Sequence, residues 1–90
     1  MITLEEACKI SYETKLRGAK YTRIKETEDS YIICFVSEKG EKYTAPPYRI
    51  SKEDGRQLPF VLPEEKYFKM FDNGKDVEIP NAYKFQGAIE

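Results

Sequence analysis

Tyr31-Ile32-Ile33-Cys34-Phe35-Val36 is the stretch that most limits what this chain can become. Most of its residues are β-branched or aromatic, which favours a strand. Both alternating faces are apolar, so the strand belongs at the centre of a sheet, with a helix covering one side. That helix is expected upstream. Thr3 and Glu6 have the spacing of a capping box, in which each side chain satisfies the other's backbone amide. Leu4, Cys8, Tyr12 and Leu16 then recur at i, i+4 with Ala7 beside them, as one apolar helical face requires. Gly18 supplies the stop, and Lys15 and Arg17 suit the negative end of the helix dipole.

The remaining elements are read from turn chemistry. Lys20 to Thr27 favours a strand through Tyr21, Thr22, Ile24 and Thr27, although its alternation is imperfect. Glu28-Asp29-Ser30 turns into the central strand, and Ser37-Glu38-Lys39-Gly40 turns out of it into Lys42-Tyr43-Thr44. Ala45-Pro46-Pro47 interrupts there, because neither proline can donate a ladder hydrogen bond. Tyr48-Arg49-Ile50-Ser51 resumes, Lys52-Glu53-Asp54-Gly55 closes a tight turn, and Arg56 to Phe60 runs back with Pro59 hinting at an edge. Leu62-Pro63-Glu64-Glu65 reads as a second helix start, carrying Tyr67, Phe68, Met70 and Phe71 to a stop at Asn73-Gly74. Beyond it only a Val77-Glu78-Ile79 alternation, the Pro80 break, Tyr83 and Phe85 stand out. Residues 75–90 therefore read as a loosely packed or exchanging tail on a single 1–90 domain. The order predicts an α+β fold: an N-terminal helix on a curved four-stranded antiparallel meander, followed by a short C-terminal helix.

Composition narrows the function classes. Ninety residues make one domain, and such a chain buries roughly 60–65% of its unfolded surface. Fifteen basic and sixteen acidic side chains nearly cancel, which argues against a general nucleic-acid binder and an acidic nucleic-acid mimic. There is no histidine and no CxxC pair, so the usual zinc patterns and histidine-based nucleophile activation are absent. Cys8 and Cys34 fall on different elements and suit reduced core packing better than a disulfide. No apolar run reaches the ~20 residues that span a bilayer, and the acidic N-terminus is unlike a signal peptide. A cytoplasmic protein without cofactor, metal or membrane contact is the expectation.

The helix, the apolar strand and the Ile50-Ser51-Lys52-Glu53-Asp54-Gly55-Arg56 turn together resemble small bacterial cystatin-like domains, in particular the immunity protein 35 group found beside polymorphic toxins. Its members carry a hydrophobic-x-Lys-x-x-Gly-x turn before a short last helix. Ile50, Lys52 and Gly55 occupy those places here, and Tyr67 to Phe71 would form the helix. Pro46-Pro47 and the segment after Gly74 depart from the group's pattern. The resemblance implies a cystatin-like fold and a non-enzymatic role in sequestering a toxin.

The chemistry-bearing residues have local explanations to weigh against it. Glu5-Glu6, Glu28-Asp29, Glu53-Asp54 and Glu64-Glu65 sit at helix starts or turns, where acids are expected without any catalytic role. Asp72-Asn73-Gly74-Lys75-Asp76 lacks the ligand spacing of a calcium loop. Arg17, Lys20, Arg23 and Lys25 form a basic run that Glu26, Glu28 and Asp29 immediately offset. The aromatics are the stronger lead, because Tyr43, Tyr48, Phe60, Tyr67, Phe68 and Phe71 exceed what one helix–sheet core must hold. Tyrosine and arginine are enriched at interface hot spots, so Tyr43, Tyr48, Arg49 and Tyr67 are the candidate partner-binding residues. The alternative is that Tyr43 and Tyr48 pack on the sheet with wet hydroxyls. Three functions follow: a module binding a protein partner such as a toxin, a self-associating domain or homodimer, and a small-ligand domain with a pocket between helix and sheet.

Overall fold

The computed structural model describes residues 1–42, 45–61 and 64–85. Helix α1 spans Leu4–Thr14 and opens on the capping box expected from sequence. The Thr3 hydroxyl accepts from the Glu6 amide at 3.2 Å, and Glu6 accepts from the Thr3 amide at 2.8 Å. Leu16, read as the helix's last contact, lies beyond its end and is still buried. A turn at Gly18, held by Ala19 N–H donating to Leu16 C=O at 2.9 Å, redirects the chain into the sheet.

The sheet has five strands: β1 (Ala19–Glu26), β2 (Ser30–Ser37), β3 (Tyr48–Ser51), β4 (Gln57–Leu58) and β5 (Lys75–Val77), in the order β4-β3-β2-β1-β5. β1 to β4 form the antiparallel meander. The apolar β2 is its centre, as its composition requires. Lys42 touches Val36 through an isolated bridge, and Pro59 follows directly on the two-residue β4. The fifth strand was only hinted at by the Val77 alternation. It pairs antiparallel with the second half of β1, from Ile24↔Val77 to Glu26↔Lys75. The chain then loops out, returns and pairs parallel at Tyr21, whose amide donates to Tyr83 C=O at 2.8 Å while Phe85 N–H donates to Tyr21 C=O at 3.0 Å. A bulge in β1 between Tyr21 and Arg23 lies where one pairing gives way to the other.

The two faces of the sheet bury separate cores. On the α1 face, Tyr21, Ile24, Tyr31, Ile33, Tyr48 and Ile50 pack with Ala7 and Cys8 of the helix and with Ile79. On the other face Ile32 packs with Phe60 and with Tyr67 of α2 (Glu65–Asn73), and Met70 and Phe71 flank them. Ile24, Ile32, Ile33 and Ile50 are almost wholly buried. Each contributes about 1.5–3 kcal/mol relative to an exposed position. The Lys52–Gly55 turn also belongs to the core. Ile2 N–H donates to Lys52 C=O at 2.8 Å, and Gly55 (φ +78°) lies so close beneath α1 that a Cβ there would meet Ile10 Cδ1 at 2.8 Å. No helix of the described residues is long and apolar enough to cross a membrane.

Candidate functional site

A groove with space for about 640 Å³ opens where α1 ends and the meander's outer strands begin. Its walls come from four places in the chain. Leu16 and Ala19 follow the helix, Phe35 comes from β2, Pro46, Pro47 and Tyr48 lead into β3, and Gln57 to Phe60 form β4 and its exit. The composition follows from the local folding. The two prolines that deny β3 an earlier start, and Pro59 that follows β4, leave a wall without backbone donors at those positions. The volume lies within the range of ligand pockets, which are typically apolar with a few placed polar groups.

The polar residues in its described lining are Lys15, Arg17, Gln57 and Tyr48, and none of the described lining residues carries a carboxylate. Lys15 and Arg17 are exposed and form no ion pair among the described residues, whereas Arg23, Lys25, Arg49, Lys52, Arg56 and Lys69 each have one. Tyr48 is only 4% exposed, and its hydroxyl makes no hydrogen bond within the described protein. Among the described residues no fully buried side-chain polar atom lacks a partner, so this oxygen must reach solvent. Tyr48 is one of the residues that line the groove. Burial raises the Tyr48 pKa, which keeps the hydroxyl a neutral donor.

The sequence-predicted residues fall on different faces. Tyr48 packs on the α1 face, with its hydroxyl wet. Arg49, next along the strand, points to the opposite face and is used internally: its guanidinium donates to Ser30 Oγ at 3.0 Å, to Pro59 C=O at 3.1 Å and to both Asp29 oxygens at 3.4 Å. Burial works upward on the Asp29 carboxyl, but hydrogen bonds from Thr27 and Ser30 and the Arg49 charge outweigh it and hold the pKa below its ordinary value. Tyr67 is 7% exposed and meets Phe60 edge-on at 5.4 Å between centroids, so it serves the second core. Tyr43 lies outside the described residues. Lys15, Arg17 and Gln57 were not singled out as partner-binding. Two unopposed cations just past a helix end are the signal available for the first pair; in the sequence both read as complements to the helix dipole, and Arg17 also as part of a basic run offset by the acids after it.

The other reactive groups are locally committed. The buried Cys8 thiol is pushed up to about 12, by burial first and the Glu5 charge second. Burial also raises the Cys34 thiol, so neither is a thiolate at neutral pH. Both cysteines are free; Cys8 lies in the α1-face core, while Cys34 precedes Phe35 on β2 and points to the opposite face. Ser11 Oγ and the Tyr21 hydroxyl bond each other at 2.7 Å and share the Cys8 carbonyl, beneath a Tyr21–Tyr83 stack at 5.6 Å. Asp76 pairs with Arg23 at 2.8 Å, a hydrogen bond that lowers its pKa, and among the described residues no three metal-ligating side chains cluster. Comparison with protein-family models, with curated proteins and with solved structures found no match.

Proposed function

We propose that this domain is a non-enzymatic binding module whose recognition site is the groove at the end of α1, and that it takes a segment of a partner protein. The observation that carries the reading is the groove itself: an apolar, proline-walled surface with two free cations and one unpartnered hydroxyl. The exposed acidic pairs, by contrast, stand in turns and helix starts. Gln57 and Leu58 favour a peptide over a compact small molecule, because β4 is the outer strand of the sheet and no described residue pairs with its far side. A helix across an antiparallel meander supports the cystatin-like resemblance, and with it a toxin as the first partner to try. Failure to form any complex with such a toxin at micromolar concentration would remove that partner and leave the groove.

The site itself is tested by selecting a displayed random-peptide library on the immobilised protein, then mapping the selected peptides by amide chemical shifts. Shifts centred on Leu16, Ala19, Tyr48 and Leu58 are expected. Enrichment of nothing, or binders mapping only to other surfaces, would overturn the assignment.

A further inference from the structure

The chain as a whole is nearly neutral, with sixteen acids against fifteen bases, yet among the described residues that line its groove the charged ones are both bases, Lys15 and Arg17. Most cations elsewhere on the sheet are neutralised by a carboxylate within the molecule, and Lys15 and Arg17 are not. They stand beside walls of Leu16, Phe35, Pro46, Pro47, Leu58 and Phe60, which can accommodate a large apolar side chain. Tyr48 adds a hydroxyl donor whose ring is fixed by the core and whose oxygen has no partner in the free protein.

We infer that the groove selects an extended acidic peptide, one carrying an aromatic or large aliphatic residue next to an Asp or Glu. This rests on the reading of the groove as a partner-binding site. The apolar side chain enters the proline-walled space, the carboxylate meets Lys15 and Arg17, and the Tyr48 hydroxyl donates to a peptide carbonyl or carboxylate oxygen. β4 offers the peptide backbone an edge that no described residue pairs. Apolar filling supplies most of the affinity, and the rim charges supply the choice of sequence and the salt dependence.

The test compares the tightest selected peptide with its Asn-for-Asp and Gln-for-Glu counterpart. Titrations use the wild type, the double charge reversal K15E/R17E, and Tyr48→Phe. Exposed ion pairs are individually weak, so two of them should make the wild type prefer the acidic peptide by about five- to tenfold. K15E/R17E should reverse that preference with the fold retained by circular dichroism and only a small fall in melting temperature, since neither cation is paired in the free protein and only their interaction with the α1 dipole is lost. Tyr48→Phe should weaken binding several-fold without loss of stability, because it removes no internal hydrogen bond. Peptides that still map to the groove but bind equally in acidic and amide forms would overturn the charge selection and leave the binding site standing. Full affinity in Tyr48→Phe would overturn the assignment of its hydroxyl. The absence of any groove binder would overturn the underlying reading as well.

Discussion

Gly55→Ala separates two stresses that the hairpin turn imposes on one residue. Gly18 and Gly55 both hold positive φ, at +86° and +78°. An added Cβ at Gly18 would meet nothing within 4 Å, whereas at Gly55 it would come to 2.8 Å from Ile10 Cδ1. Gly18→Ala therefore registers the backbone term alone, about 1 kcal/mol for an L-residue forced into left-handed space. At Gly55 the Ile10 methyl must also retreat by roughly 0.8 Å to reach ordinary carbon–carbon contact. Turning an isoleucine that far off its rotamer adds about 1 kcal/mol, for a total near 2 kcal/mol. Ile10→Val removes the offending methyl and by itself costs about 1 kcal/mol. Combined with Gly55→Ala it should cost little more than Gly55→Ala alone, a coupling of about 1 kcal/mol that simple addition would miss. Urea unfolding followed by far-UV circular dichroism reads all four proteins. In a domain this size, 2 kcal/mol lowers the melting temperature by roughly 8–16 °C. Equal losses at Gly18 and Gly55, or strict additivity with Ile10→Val, would refute the close packing of the turn beneath α1.

Two further outcomes follow from the interior. Asp29 has a folded pKa below its ordinary value of 3.8, so its contribution is fully present above that value and is lost as pH falls through the folded one. Arg49→Ala should cost about 2 kcal/mol at neutral pH and flatten that acid limb, read as stability against pH; an unchanged acid slope would exclude the pair as its cause. Cys8 should resist a thiol reagent in the folded protein and Cys34 should react first, with both thiols reacting after unfolding without reductant; fewer than two would indicate a disulfide.

The elements legible in the sequence were those with local causes. Thr3 and Glu6 start α1 wherever the helix later packs, and Tyr31 to Val36 can be little else than a central strand. β1 looked irregular because it is bulged: the shift between Tyr21 and Arg23 lets Tyr21 and Ile24, three residues apart, share the α1 face. β5 was not legible as a strand, since three residues gain their order from a partner fifty positions earlier. The surplus of aromatics was real, but it reflects a sheet buried on both faces. Phe60, Tyr67 and Phe71 serve a second core, where the sequence reading allowed for a single helix–sheet core. The groove was half legible, through Tyr48 and the prolines beside it. Its cations could not be assigned to it before the α1 end was placed against β4.

The return of residues 75–85 to β1 also orders events in time. The β1–β2 and β3–β4 hairpins close over short stretches of chain and form early, whereas the Tyr21 pairing with Tyr83 and Phe85 must wait for some sixty residues to be gathered in. The last segment to arrive is the one that shields the Tyr21–Ser11 bond, so a newly made chain would hold α1 on an incomplete sheet until residues 75–85 have been made and can fold back. In the finished protein the same seam would open first, and the β5 and Tyr21 amides should exchange with solvent ahead of those of β2.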